Sequence, residues 1–235
     1  MTGTALSIRD VSSGYGGAIV VRNVTLDVAS GQIFALLGKN GMGKTTLLKT
    51  ALGLVAARSG RIDVFGDDVT GLPAYLIARR GVAYSPQEQT LFQDLTVEEN
   101  LRLGLRDDRR VVAEIDRIAQ YFPIIGERRR QKGGTLSGGE QKMLIVSRAL
   151  MAAPRLILID EISEGLQPSM VQRLAGVLRA ERARTGAAIL VVEQNVPFAL
   201  SIADRYAVLK LGEIADAGDT ADPTAARRIE DHLSV

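Results

Sequence analysis

The sequence predicts an α/β chain: a mixed sheet flanked by helices, with an antiparallel β part near the N-terminus and an α-helical insert over residues 86–153. Three observations predict it. Short apolar runs of strand length, Ile33–Leu37, Leu156–Ile159 and Ala187–Val192, read as strands buried on both faces of a parallel sheet. Helical patterns follow them. Between Pro86 and Ala153 the periodicity is helical throughout. The outer thirds thus form one Rossmann-like core carrying a subdomain, rather than two sequential domains.

Each element has a local reason. Ala5–Val11 alternates apolar and polar residues, and Val24–Val28 repeats the pattern. Ile33–Leu37 runs into the glycine-rich turn Gly38–Gly43, and Lys44–Leu54 reads as a helix. Arg61–Phe65 is a short strand ended by Gly66. Pro73 suits the first turn of a helix through Arg80, and Gly81–Tyr84 returns to strand before Pro86. In the insert, Thr96 with Glu99 and Ser137 with Glu140 have the capping-box form. The first precedes Leu101 and Leu103; the second opens a helix to about Met151. Val111–Tyr121 has apolar residues at helical spacing. Val171–Arg184 is read as helix, Ala187–Val192 as strand and Pro197–Ala203 as helix. Arg205–Lys210 and Glu213–Ala217 form a hairpin across Leu211-Gly212. From Gly218 the tail is polar and Ala-rich, with no element assigned.

Composition narrows the chemistry. The 235 residues include no cysteine, which excludes disulfides, a cysteine nucleophile and thiolate metal sites. One histidine, His232, argues against Ser-His-Asp catalysis and multi-histidine metal sites. A formal charge of +2 is no nucleic-acid footprint, although 23 of the 29 basic residues are Arg. No apolar run approaches the roughly 18 residues of a spanning helix. The N-terminus has no charged region followed by an apolar one. The chain is therefore expected in the cytoplasm, with any membrane role exercised through a partner.

Gly38-Lys-Asn-Gly-Met-Gly-Lys44-Thr45 matches G-x-x-x-x-G-K-[ST] without a mismatch, between a strand and a helix. Glycines there let backbone N–H groups turn toward phosphate oxygens, and the helix N-terminus adds a favourable dipole. Lys44 supplies a point charge for β and γ phosphates, and the Thr45 hydroxyl is a hard ligand for Mg²⁺. The bland reading is a glycine-rich strand-to-helix turn. Leu156-Ile-Leu-Ile-Asp160-Glu161 is an apolar strand with an acidic exit. Asp160 is suited to holding Mg²⁺ through water, and Glu161 to polarising an attacking water. Without the phosphate loop it would be an ordinary strand end.

Lys44 and Asp160 stand 116 residues apart, and Leu136-Ser-Gly-Gly-Glu140 lies between them, Ser137 being 23 residues before Asp160. This run resembles the Leu-Ser-Gly-Gly-Gln signature of the ATP-binding subunits of ABC transporters, with Glu140 in place of Gln. The resemblance covers Ile8 to about Gly218 and implies a P-loop NTPase core in a single ABC-type ATP-binding domain over 1–235. It implies that Tyr15 stacks on adenine and that Gly38, Asn40, Gly41, Gly43, Lys44, Thr45 and Thr46 hold the phosphates. Gln87 is implied in the loop joining core and insert, as a sensor of both Mg²⁺ and the membrane partner. Ser137, Gly138, Gly139 and Glu140 are implied to contact the γ-phosphate held by an opposite subunit.

The resemblance also implies hydrolysis of ATP with Mg²⁺ held by Thr45, Gln87 and Asp160, and catalysis by Glu161, Gln87, Lys44 and Gln194. Gln194 occupies the place where many relatives carry a switch histidine; it can hydrogen-bond a phosphate but not carry charge. Ile162 and Gln167 replace a usual Pro and a common Asp. Val-Glu-Gln-Asn, residues 95–100 and residues 164–169 are similar to the branched-chain amino acid importer ATPases, the last also to members assigned to urea or short amides. The implied partners are integral membrane permease subunits, met near Gln87 and Thr90–Leu95, and a second ATP-binding subunit, identical or different. An extracytoplasmic solute-binding protein is an indirect partner. The implied location is peripheral, at the cytoplasmic face of the membrane. A non-transport ATPase of the same superfamily acting on nucleic acid or ribosomes is the alternative. A small-molecule kinase would explain Lys44 and Thr45 but not Ser137–Glu140.

Overall fold

Strand β1 (Thr4–Ser13) pairs antiparallel with β2 (Val21–Ala29) and with β4 (Ala57–Val64), and β4 pairs with the short β5 (Asp67–Asp68). These form a four-stranded sheet in the order β2-β1-β4-β5. The coordinates are a computed structural model describing residues 3–87, 91–105 and 107–234. The second sheet uses β3 (Ile33–Leu37), β6 (Val82–Ser85), β7 (Leu156–Asp160), β8 (Ala188–Glu193), β9 (Arg205–Lys210) and β10 (Glu213–Asp219). Its order is β10-β9-β3-β8-β7-β6, parallel except for the β9–β10 hairpin. The fold class expected from the sequence is the one observed.

The continuous apolar runs are explained by burial on both faces. Ile33, Ala35 and Leu37 join one core cluster, and Phe34 and Leu36 join the other. On the Phe34 side lie the antiparallel sheet and α1 (Lys44–Ala51); Val21, Val24, Leu47 and Leu48 fill that cluster. On the Ile33 side lie α6 (Gly138–Met151), α7 (Pro168–Thr185) and α8 (Val196–Ile202), through Leu144, Leu174, Leu178 and Phe198. Helix α2 (Ala74–Arg79) precedes β6.

Between β6 and β7 the described regular elements are helices, α3 (Val97–Arg102), α4 (Val111–Tyr121), α5 (Pro123–Glu127) and α6. Both expected capping boxes are present. Thr96 Oγ accepts the Glu99 N–H at 3.2 Å, and the Thr96 N–H reaches Glu99 Oε2 at 2.7 Å. Asn100, fully buried, braces the preceding segment. Its amide donates to the Phe92, Leu95 and Thr96 carbonyls at 3.0–3.1 Å and accepts the Phe92 N–H at 3.0 Å. An ion pair from Arg117 on α4 to the buried Glu181 on α7 ties these helices to the core, and Arg184 also holds Glu181, at 2.7 Å.

Several sequence expectations change: β2 and β4 begin at Val21 and Ala57 rather than Val24 and Arg61, and α1 ends at Ala51 rather than Leu54. The helix expected from Val171 starts at Pro168, where the ring suits the first turn. The tail from Gly218 is not without structure: β10 runs to Asp219 and α9 (Ala225–Leu233) packs beyond it. Ala225 and Ile229, four residues apart, are its buried anchors, with Leu233 partly buried. Ala225, Ile229 and Leu233 recur every four residues between charged ones, so the segment does carry a helical pattern, short as it is. Arg228 pairs with Asp216, which accepts the buried Tyr206 hydroxyl at 2.9 Å. That acceptor and burial push the Tyr206 phenol up to about 12, burial being the larger cause.

Truncating Ile229, which is fully buried, to Ala should cost about 3 kcal/mol of stability. The urea midpoint should fall accordingly, and an unchanged midpoint would show that α9 is not docked.

Candidate nucleotide site

The parallel strands β3, β8 and β7 end together, with Leu37 opposite Glu193 and Asp160 opposite Val192. Their exits carry the residues singled out in the sequence. At the end of β3 the glycine loop turns tightly. A Cβ on Gly38 would lie 2.6 Å from the Leu209 carbonyl. Gly43, at φ 99°, caps α1 without a side-chain hydrogen bond, which leaves N–H groups of the first turn for an anion. Gly41 also has positive φ. The β9–β10 turn supports the loop from behind, where the Gly212 N–H donates to the Met42 carbonyl at 3.1 Å.

Lys44 opens α1 and is 3% exposed. Its Nζ lies 2.9 Å from Glu161 Oε1 and 3.0 Å from the Lys39 carbonyl. Thr45 Oγ donates to Asp160 Oδ1 at 3.1 Å, and the Tyr84 hydroxyl donates to Oδ2 at 3.4 Å. Thr46 is buried one residue further on, its carbonyl accepting Thr50 Oγ.

Glu161 is where the site converges. Its Oε2 accepts Gln87 Nε2 at 2.8 Å and Gln194 Nε2 at 3.3 Å, while Oε1 faces Lys44. Gln194 also donates to Asn40 Oδ1 at 2.8 Å, so strand β8 is linked to the glycine loop. Glu161 has φ 45°, a left-handed conformation uncommon for a non-glycine residue. Its N–H is held by the Val192 carbonyl at 2.9 Å. Burial pushes the Asp160 carboxyl above the ordinary carboxylate range, and the neighbouring Glu161 adds to this; the Thr45 hydrogen bond offsets part of it.

The structure therefore brings together Gly38, Asn40, Gly41, Gly43, Lys44, Thr45, Thr46, Gln87, Asp160, Glu161 and Gln194. Thr45, Tyr84, Gln87, Lys49, Arg148 and Asp160 line one cavity of about 380 Å³. Tyr15 is half exposed on the turn joining β1 and β2, and Arg58 donates to the Gly16, Gly17 and Ala18 carbonyls of that turn. Ser137, Gly139 and Glu140 line a different cavity of about 520 Å³ with Gly165 and Gln167. Gly138 opens α6 beside them. Of the segment expected to meet a membrane partner, Leu91–Leu95 is described, with Phe92 exposed; Thr90 lies outside the described residues.

Sequence reasoning missed Tyr84, Lys142, Glu164 and Arg58. Glu164 accepts Gln87 at 3.1 Å, and Lys142 donates to the Glu161 and Glu164 carbonyls. Tyr84 stands at the end of a strand three residues before Gln87, a position that could have flagged it. Glu164 opens the run 164–169 noted in the sequence, but its contact with Gln87, like those of Lys142 and Arg58, is not readable from that run.

The family model described as ABC transporter matches residues 21–164. The chain belongs to the ABC transporter family. It is 42% identical over 213 residues to the high-affinity branched-chain amino acid transport ATP-binding protein BraG of Pseudomonas aeruginosa, covering 89% of this chain and 90% of that protein. It is 35% identical over 217 residues to the lipopolysaccharide export system ATP-binding protein LptB of Escherichia coli, covering 91% and 90%. A solved ATP-binding subunit of an ABC transporter matches with a TM-score of 0.84 at 27% identity, covering 96% of this chain and 94% of the other. As an ABC-family ATPase the chain binds and hydrolyses ATP. Among the described residues, no helix is long and apolar enough to cross a membrane.

The raised Asp160 pKa sets a sign for stability. A carboxyl raised in the folded state favours folding below its unfolded pKa, and that contribution is lost as pH rises through the folded value. In metal-free buffer at neutral pH, Asp160→Asn should melt no lower than the wild type, with a difference that narrows toward acid pH. A variant that melts far lower at neutral pH would contradict the burial penalty.

Proposed function

We propose that this chain powers an ABC importer for branched-chain or other hydrophobic amino acids, or for urea and short amides. One ATP-binding domain would span 1–235, with 86–153 as its helical subdomain. The reading of the active site rests on one observation: both Glu161 oxygens are gripped, by Lys44 on one side and by Gln87 and Gln194 on the other. A carboxylate has about four acceptor positions. Oε2 takes two of these bonds and Oε1 one, so Oε1 keeps a position for the attacking water's proton. Lys44 and the N–H groups of the glycine loop would neutralise the phosphates, work of positioning and charge rather than covalent chemistry.

The Thr45 hydroxyl and the Asp160 carboxylate are hard oxygen donors 3.1 Å apart, a donor set that suits Mg²⁺, with Gln87 beside it. No group of three or more His, Cys, Asp or Glu able to hold a metal occurs among the described residues, so phosphate and water oxygens would supply the rest. When bound, Mg²⁺ neutralises charge on the β and γ phosphates. Tyr15 would stack on adenine. Ser137, Gly138, Gly139 and Glu140 would meet the γ-phosphate of ATP held by a second ATP-binding subunit.

The higher identity to BraG than to LptB supports import over export, as do Val-Glu-Gln-Asn and residues 95–100. The membrane permease would dock near Phe92 and Leu95, held in place by Asn100. The chain would sit peripherally at the cytoplasmic face, with a solute-binding protein across the membrane. Action on nucleic acid has little support: Arg128 pairs with Glu140 and Arg129 with Glu98.

ATP binding and phosphate release should be measured on the purified chain, alone and with its permease subunits. Glu161→Gln should leave ATP affinity within about twofold and lower turnover on the order of 100-fold or more. Unchanged turnover would remove Glu161 as the base. Lys44→Ala should weaken ATP binding on the order of 10- to 100-fold, the worth of a charged hydrogen bond. Unchanged affinity would discard the phosphate-loop assignment. For the importer, turnover should rise on assembly with the permease and with solute-loaded binding protein; indifference to both would reject transport.

A further inference from the structure

Glu193 is a buried carboxylate with no part in the chemistry above. It ends β8 and is 1% exposed. Burying such a charge is costly unless it is hydrogen-bonded, and its carboxyl is held above the usual range by that burial. It accepts the Ser163 N–H at 3.0 Å, the Ser163 hydroxyl at 2.8 Å and the Asn195 N–H. Ser163 is itself buried.

These bonds belong to a larger pattern. Three consecutive residues at the end of β8 each hold a point on the segment after β7. The Val192 carbonyl takes the Glu161 N–H, Glu193 takes Ser163, and the Gln194 amide reaches the Glu161 carboxylate. Between the held points, Ile162 is buried, so the segment is pinned by apolar packing as well. The left-handed backbone at Glu161 needs such restraint, because its surroundings must over-determine it. Two residues past Ser163, Gly165 joins Ser137 and Gly139 in lining one cavity.

We infer that Glu193 is a positioning residue for hydrolysis: through Ser163 it fixes the Glu161 segment to the strand that presents Gln194. This rests on the reading of Glu161 as the base. A role in packing alone would be served by an apolar side chain, since a buried charge is weak evidence of stability. Among the described residues neither Glu193 nor Ser163 has a side-chain hydrogen bond to the glycine loop, so the brace is expected to act on turnover rather than on ATP binding.

The test compares wild type, Glu193→Gln, Ser163→Ala and the double variant by ATP affinity, kcat, KM and thermal melting. Glu193→Gln should lower kcat about tenfold and Ser163→Ala about threefold, the range for one or two lost hydrogen bonds, with ATP affinity within about twofold. The double variant should be no slower than Glu193→Gln, because the residues share one interaction. Ser163→Ala carries the test if Glu193→Gln does not fold. Unchanged kcat, affinity lost in step with kcat, or multiplying effects would overturn the proposal. Turnover abolished by Glu161→Gln but untouched by either brace variant would overturn it alone. A wild type without turnover, alone or with permease, would overturn the reading beneath it.

Discussion

The parallel register of β3, β8 and β7 is the constraint on which the site depends. With Leu37 opposite Glu193 and Asp160 opposite Val192, the three strands deliver their exits to one edge. The residues just past those exits have no choice but to meet. Lys44 is reached after one tight turn from β3, Glu161 follows β7 directly, and Gln194 follows β8 directly. Ligand sites at the carboxyl ends of parallel strands arise in this way in open α/β sheets. The two cores hold the register by burying alternate residues of each strand on opposite sides. A slip of one residue would send every side chain to the wrong face.

Most of this was legible, for a physical reason. The strands are apolar throughout because both faces are covered, and they contrast sharply with the glycine loop and the acidic pair that end them. Capping boxes at Thr96 and Ser137 are local, so a four-residue window contains the whole interaction. What stayed hidden is non-local. Arg117 to Glu181 and Lys142 to the Glu164 carbonyl are created by folding. Helix α9 was passed over although Ala225, Ile229 and Leu233 recur at four-residue spacing. The grouping of Glu161 with Gln87 and Gln194 was suggested by resemblance; its geometry was not.

Charge explains the crowding at this edge. Lys44, Asp160, Glu161 and Glu193 are all buried there, three acids against one base. Hydrogen bonds keep that imbalance tolerable: Thr45 and Tyr84 on Asp160, Gln87 and Gln194 on Glu161, Ser163 on Glu193. Neutral donors do most of this work, and Lys44 brings opposite charge to Glu161 at 2.9 Å. Buried carboxylates beside Lys44 are the physical argument for the cation proposed there.

Glu140 serves two masters. Its carboxylate closes the capping box by accepting the Ser137 N–H at 2.8 Å, and the same oxygen meets Arg128 at 3.4 Å. A glutamine would keep the first contact as an uncharged acceptor and leave the guanidinium without its counter-ion. The letter at this position is therefore a compromise between the grammar of a helix start and the electrostatics of its neighbour. Reading it as a statement about nucleotide recognition alone would confuse the spelling of a fold with the wording of its chemistry.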